Sequence, residues 1–367
     1  MIGNEDIRQL PNLHKDFIHE TAFNFYGTRM ATCSSDGYVR IYDLHDDDSW
    51  RQSGCFSFPT PTGPIIRVTW AHSEFGGILA TVSYDRFVHV WYKAPTGPND
   101  PSEYATKWVH KDQFYDSFLF GSSESRTSSL ESGAHSSTYN TVALQFAPKH
   151  LGLVLSTAFF DGRIRIYDFQ GPTVVNKEEI QTKMSNLSCI SWSTARHHLA
   201  PLLAIGSDDC NTGAGAKLQL WEYAPDRKAI KVDLTSVNML LQNAIKDIQF
   251  APNFGQSYHL LAVASNDIDL FTIKPAKGEL NNSGENKAQT YDVTRIITLD
   301  DHGSTVWKVC WNVFGSVLYS CGDDGRIRMW KGTINGPWKC ESNVSLQAEA
   351  LEKIKADASQ STESVQT

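Results

Sequence analysis

The sequence lacks the features of membrane-inserted and of disulfide-stabilised proteins. No apolar run approaches the roughly eighteen residues that span a bilayer, and the polar segment from Met1 to His14 has no basic and apolar signal pattern. The seven cysteines are odd in number, scattered, and form no Cys-x-x-Cys pair. This pattern favours reduced thiols in a cytosolic or nuclear protein, and we expect no membrane insertion.

Motifs for phosphate binding, nucleophilic catalysis and metal binding are also missing. There is no glycine-rich phosphate loop, and no Ser, His and acid form a nucleophile motif. His197-His198 has no third ligand at metal spacing. Three pairs of adjacent acids fall in turns or just before strands, where carboxylates satisfy backbone donors: Asp208-Asp209, Asp300-Asp301 and Asp323-Asp324. We expect no enzyme activity, no cofactor and no metal.

The charge balance disfavours nucleic acid as a direct partner. The formal net charge is -8, whereas affinity for DNA or RNA depends largely on neutralising phosphates with Lys and Arg. Function is therefore expected to reside in protein-binding surfaces.

One spaced pattern recurs along the chain. In the first copy Thr32 is followed by Asp36, two apolar residues and the aromatic Tyr42. Alternating apolar residues after each Asp place one face of a strand in a core, and Asp-Gly pairs predict tight turns. The other clear copies contain Thr81, Asp85 and Trp91; Thr157, Asp161 and Tyr167; and Ser320, Asp324 and Trp330. Each copy is therefore interpreted as strand, turn, strand.

Two weaker copies bring the number of repeats to six. One contains Asp209 and Trp221 separated by a small-residue insertion, and the other runs from Ile245 to Ile273. A preceding strand and an outer strand complete each unit, and units of about 40 to 45 residues are typical of WD-repeat propellers. The sequence resembles that family, which implies an all-β, six-bladed propeller.

The WD-repeat resemblance also implies a hydrogen-bonded tetrad within each blade, made by the Ser or Thr, the turn Asp, the aromatic residue and an upstream His. His302, four residues before Val306, is well placed in the last blade. Most blades lack an obvious His, so incomplete tetrads are expected.

We predict a propeller over residues 14–344, between a flexible N-terminus at 1–13 and a helical or disordered tail at 345–367. Ser-rich or polar compositions at 116–138 and 274–290 predict loops between blades.

The ring of blades is predicted to be open. The segment from Trp338 to Val344 is similar to the segment from Trp50 to Phe56, so blade six would carry its own fourth strand and blade one would start afresh near His14. An unstapled seam exposes strand edges and faces, which suggests a seventh blade supplied by a partner. The candidate seam residues are Phe17, Ile18, Val306 and Val309. Six blades closing tightly on themselves is the alternative.

Three segments resemble a narrower subfamily, the propeller nucleoporins of the Y-shaped nuclear pore scaffold, relatives of the COPII outer-coat propeller. They are Tyr26 to Asp36, Ala147 to Leu153, and Gly322 to Lys331. The resemblance implies an open propeller completed by a blade from an α-solenoid nucleoporin, contacts with other Y-complex nucleoporins, and a role in nucleocytoplasmic and mRNA transport and in pore assembly. It also implies membership of the SEA nutrient-signalling coat at the cytoplasmic face of the vacuole membrane.

Two other functions remain open. A peptide-reading adaptor, such as a ubiquitin-ligase substrate receptor, would need Arg or aromatic residues converging on one channel mouth. A COPII-type vesicle coat propeller would share the fold and bind a different solenoid.

Overall fold

A computed structural model describes most of the chain: residues 13–57, 63–83, 88–93, 108–114, 141–170, 173–194, 199–211, 216–223, 228–234, 241–276, 290–332 and 337–345. Several predictions fall outside these residues. They concern positions 1–12 of the N-terminus, Asp85, the loop 116–138, positions 277–289 of the second loop, His197-His198, and positions 346–367 of the tail.

The described strands form six sheets, each built from four strands that are consecutive in the sequence. The first sheet contains β1 (Ile18–Phe23), β2 (Arg29–Ser34), β3 (Tyr38–Leu44) and β4 (Trp50–Ser57). The second contains β5 (Ile65–Trp70), β6 (Ile78–Ser83), β7 (Val88–Lys93) and β8 (Trp108–Phe114). The third contains β9 (Thr141–Phe146), β10 (Leu153–Phe159), β11 (Arg163–Gln170) and β12 (Thr173–Gln181).

The second half repeats this organisation. The fourth sheet contains β13 (Leu187–Trp192), β14 (Leu202–Ser207), β15 (Leu218–Tyr223) and β16 (Ala229–Val232). The fifth contains β17 (Asp247–Phe250), β18 (His259–Ala264), β19 (Ile268–Pro275) and β20 (Tyr291–Leu299). The sixth contains β21 (Val306–Trp311), β22 (Val317–Gly322), β23 (Arg326–Lys331) and β24 (Lys339–Ser345). The predicted all-β, six-bladed propeller is confirmed, and the sixth sheet carries its own fourth strand.

The hairpin between the second and third strands follows one design in several sheets. The turn carboxylate accepts the backbone N–H two residues ahead: Asp36 from Tyr38 at 3.0 Å, Asp161 from Arg163 at 3.1 Å, and Asp324 from Arg326 at 3.2 Å. The glycine after each of these acids has a positive φ of 77°, 87° or 66°, a conformation that costs glycine no steric clash. The Asp-Gly pairs therefore produce the turns that their chemistry predicts.

The chain divides after Trp192 into two compact units. In the first unit, one apolar cluster joins sheets one and two and includes Cys33, Ile41, Val68 and Trp91. Polar bonds reinforce the packing, because the Val68 N–H donates to Glu20 at 2.9 Å and the Trp70 indole donates to the Ala22 carbonyl at 3.0 Å. A second cluster joins sheets two and three.

In the second unit, an apolar cluster joins sheets five and six. It includes Ala262, Leu270, Leu318 and Trp330, all fully buried. The Val309 N–H donates to Asp247 at 3.1 Å across the same interface. Among the described residues no helix has the length and apolar character required to cross a membrane.

Candidate functional site

The sixth sheet contains a complete polar tetrad. His302 Nδ1 lies 3.0 Å from an Asp324 carboxylate oxygen, and its Nε2 lies 2.7 Å from the Ser320 hydroxyl. The Trp330 indole N–H donates to the same hydroxyl at 2.8 Å. His302, Ser320 and Trp330 are buried, so the tetrad fixes the segment before β21 to the turn and core of its own sheet.

The first sheet has the same tetrad, and its histidine, His14, is one that the repeat pattern did not predict. His14 Nδ1 lies 3.0 Å from Asp36, and Nε2 lies 2.8 Å from the Thr32 hydroxyl, which Tyr42 also hydrogen-bonds. The sequence carried a usable signal. His14 precedes Thr32 by 18 residues and Asp36 by 22, the same separations that join His302 to Ser320 and Asp324.

The turn acids of both tetrads are held ionised. Burial alone would raise the pKa of Asp324, but hydrogen bonds from Arg328 and His302 outweigh it and bring the pKa below its usual value. For Asp36, bonds from the Lys15 N–H and the His14 ring likewise outweigh burial and lower the pKa.

The repeat positions of blades two and three also act within their own sheets. The Trp91 indole donates to the Thr81 hydroxyl at 3.0 Å, and the Thr157 hydroxyl donates to the Arg165 carbonyl at 3.4 Å. Tyr167 is buried in the cluster between sheets two and three.

Blade four departs from the pattern. Asp209 accepts the Asn211 N–H at 2.9 Å, as a turn acid should, whereas the half-buried Trp221 donates to Gln219 at 3.3 Å instead of to a hydroxyl. The repeat positions of this blade and of blades two and three therefore hold strands together and do not converge on one site.

One face of the sixth sheet differs from the inner sheets. Every residue of β6, β14 and β18 is buried, as expected for strands covered on both faces. In β22 the burial alternates from Val317 to Cys321, with Leu318 and Ser320 buried and Val317, Tyr319 and Cys321 only half-buried. The sixth sheet is therefore covered on one face, the face that packs on sheet five.

We call the other side the outer face of sheet six. Strand pairing defines two rows of side chains across it: Lys308, Cys321, Ile327 and Val344, and then Cys310, Tyr319, Met329 and Ser342. Ile327 is 37% exposed and Tyr319 and Met329 are half-buried. Lys308 is the one charged residue of these rows, and its ammonium pairs with Asp247 at 3.3 Å.

The first strand of sheet one is also exposed. Ile18 and Phe23 are exposed in β1, and Phe17, just before the strand, is 80% exposed. Phe23 packs edge-on against Trp50 of β4 with ring centroids 5.7 Å apart. Two of the candidate seam residues, Phe17 and Ile18, are thus available to a partner.

The other two candidate seam residues are placed differently. Val306 and Val309 are 0% and 1% exposed, within the cluster shared with sheet five. Their assignment to a partner-facing surface is wrong. The residues of sheet six that are accessible to a partner lie on its outer face.

The described part of the chain was expected to lack a metal site. Within it, no group of three or more His, Cys, Asp or Glu side chains is placed to hold a metal ion. The buried Cys33 thiol has its pKa raised, first by burial and then by the Glu20 charge.

Comparison with known proteins identifies the family. The model of the WD domain, G-beta repeat, matches residues 7–43 and 293–331, the regions that contain the two histidine tetrads. Nucleoporin SEH1 of Homo sapiens is 40% identical over 336 residues, which cover 89% of this chain and 85% of the human protein. This chain belongs to the SEH1 nucleoporin family.

Other SEH1 proteins agree with this assignment. SEH1-A of Xenopus laevis is 40% identical and SEH1 of Danio rerio 39% identical, each over 89% of this chain and over 85% and 84% of the relative. The resemblance to the propeller nucleoporins is confirmed, and SEH1 propellers are structural proteins rather than enzymes.

Proposed function

We propose that this SEH1-family chain is a scaffold subunit of the Y-shaped subcomplex at the nuclear pore. It binds an α-solenoid nucleoporin that donates a β-blade, and the outer face of sheet six receives that blade. The observation that carries this proposal is the contrast between the inner strands, buried on both faces, and β22, buried on one.

The composition of the outer face of sheet six fits a partner that buries apolar surface. Tyr319, Met329 and Ile327 lie on adjacent strands and would all be covered by one added sheet. Completing the burial of side chains of this size contributes on the order of 1 kcal/mol each. Paired Lys308 adds little repulsion, so the face favours a hydrophobic sheet over a charged helix.

The donated blade packs face to face on sheet six, so the contact depends on side chains that interdigitate between the two sheets. This differs from β-augmentation, in which an added strand forms main-chain hydrogen bonds at an exposed sheet edge. Such a partner stabilises the propeller by an amount that grows with the logarithm of its concentration relative to Kd, because it binds only the folded state.

The location at the nuclear pore, the further partners and the transport roles belong to the same proposal. The family name places the relatives among nucleoporins, which favours the nuclear pore over a COPII vesicle coat. Contacts with other Y-complex nucleoporins and roles in nucleocytoplasmic and mRNA transport follow from that location. Membership of the SEA complex at the vacuole membrane is proposed from the sequence resemblance alone.

The test is a charge placed on the outer face of sheet six. Ile327→Asp is expected to weaken the α-solenoid complex at least tenfold, because a carboxylate would be desolvated under the donated blade. Val175→Asp is the matched control, since Val175 is an equally branched residue that is 56% exposed on an outer strand of sheet three.

Both variants would be compared with the original chain by co-purification after a high-salt wash and by calorimetric titration with the solenoid. Equal affinities for Ile327→Asp and the original chain would reject the outer face of sheet six as the binding surface. Recovery of ubiquitin-ligase subunits in place of a stoichiometric solenoid would favour the peptide-reading function.

A further inference from the structure

Trp307 is the most exposed of the tryptophans whose burial the structure describes. Its side chain is 51% exposed, whereas the other tryptophans with described burial are buried or half-buried. Trp307 stands at a β-bulge, where the pairing of β21 with β22 shifts between Val306 and Lys308. The bulge takes Trp307 out of the regular alternation of β21, and the residue lies where this strand begins, at one end of sheet six.

Two contacts fix the orientation of this indole. Its N–H donates to the Asp323 carboxylate at 2.6 Å, and the Lys246 ammonium lies 4.9 Å from the ring centroid. Lys246 is itself held by Asp208 at 2.6 Å. A pre-oriented aromatic side chain loses little conformational entropy on binding, which is the property of interface anchors.

The same bulge occurs in sheet one with a different residue. His19 occupies the shift between Ile18 and Glu20, and its Nε2 lies 2.6 Å from the Ser35 hydroxyl. His19 and Ser35 are 16 residues apart, as Trp307 and Asp323 are. In both sheets the bulge residue contacts the residue sixteen positions later, and in sheet six the bulge residue is a tryptophan.

The turns at this end of sheets four to six carry an excess of carboxylates. Lys246, Lys308 and Arg295 are paired with Asp208, Asp247 and Asp269, and Arg326 is a further exposed cation. The remaining acids there are half-buried or exposed: Asp267, Asp300, Asp301 and Asp323. Burial and the neighbouring charges of Asp300 and Asp269 raise the pKa of Asp267, which reflects the crowding of negative charge.

We propose that Trp307 and Asp323 form a docking point for a positively charged peptide segment, with an arginine side chain stacked on the indole. Lys246 contacts one part of the indole ring. The arginine guanidinium stacks on the exposed part of the ring and pairs with the Asp323 carboxylate. Arginine suits this geometry because its planar cation both stacks on an aromatic face and bonds a carboxylate. The surrounding carboxylates favour the approach of a basic partner and oppose an acidic one.

The proposal is tested with a fluorescein-labelled Arg-Gly repeat peptide and fluorescence anisotropy at physiological salt. Trp307→Ala is expected to weaken binding about three- to tenfold, the range that one cation–aromatic contact supplies. Trp307→Phe should recover part of the loss because it keeps an aromatic face. Phe254→Ala is the matched control. Phe254 belongs to the same unit and is similarly exposed, but it lies in the turn between β17 and β18, at the opposite end of its sheet.

Lys246→Ala tests whether the site prefers a cationic or an anionic ligand. Removing this cation frees the ring and the Asp208 carboxylate, so the Arg-Gly peptide should bind more tightly, whereas an anionic ligand would bind less tightly. Unchanged affinity for Trp307→Ala, weaker binding by Lys246→Ala, or equal binding of a Glu-Gly repeat peptide would each overturn the proposal. So would a change in self-association of Trp307→Ala seen by sedimentation, because the occupant would then be a second copy of the chain.

Discussion

Replacing His302 with alanine removes the centre of the sheet-six tetrad. In the tautomer that lets each group donate to the next, the Trp330 indole donates to Ser320, the Ser320 hydroxyl donates to Nε2, and Nδ1–H donates to Asp324. His302→Ala therefore deletes one bond between neutral groups and one bond to a carboxylate, and it also removes the Nδ1 atom that lies 2.8 Å from the Arg328 guanidinium. These bonds contribute about 1 kcal/mol and about 1.5 to 3 kcal/mol respectively.

The remaining partners limit the penalty. Ser320 keeps the Trp330 bond, and Asp324 keeps Arg328 and the Arg326 N–H, so neither polar group is left without a hydrogen bond. A small cavity at the buried imidazole adds to the loss. We expect the second unit to lose about 3 kcal/mol of stability, with the effect concentrated in sheet six.

Hydrogen–deuterium exchange resolved by segment is the appropriate assay, because two compact units need not unfold as one transition. Protection should fall in β21 to β24 and stay unchanged in sheets one to three. Lys331→Ala is the control, since it removes an exposed ion pair of 3.6 Å with Glu341 that contributes less than about 1 kcal/mol. A loss no larger than that of the control, or one spread equally over both units, would refute the reasoning.

Two further predictions concern the stability contributed by His259 and by Gly162. Burial lowers the pKa of His259 to about 4, so between pH 6.5 and 4 the unfolded chain binds a proton that the folded chain does not, and stability falls as pH falls through this window. His259→Gln should flatten that part of the urea-stability profile, and an unchanged slope would contradict the assignment. Gly162→Ala should cost more than about 2 kcal/mol, because a Cβ there would lie 2.1 Å from the Met184 carbonyl oxygen in addition to requiring positive φ. Gly27→Ala, also at positive φ but with open space around it, should cost only about 1 kcal/mol, and equal thermal shifts would show that the clash is relieved.

Much of the fold was predictable because each clear repeat contains residues whose chemistry specifies a turn followed by a strand. The Asp-Gly turns at Asp36 and Asp324, with apolar residues alternating after them, fix a hairpin locally and need no tertiary information. The Trp50 and Lys339 strands were likewise predicted from their similarity to each other, and both are the fourth strands of their sheets.

The exposed residues of sheet six were harder to predict because a bulge changes the alternation of a strand. A strict period of two puts Val306 and Val309 on opposite faces, whereas the extra residue at Trp307 brings both into the same core. Which face then packs on sheet five depends on the neighbouring blade, and the local sequence does not encode it. The His14 tetrad could have been found, since its spacing to Thr32 and Asp36 repeats that of His302.

The assembly of every sheet from strands adjacent in sequence has a consequence for biosynthesis. Each blade has its four strands available as soon as that part of the nascent chain has left the ribosome, so the blades can form in order during translation. The final blade does not wait for an N-terminal strand to return. Sheet six is also the last to be synthesised, so its outer face forms only after the other five blades have been made.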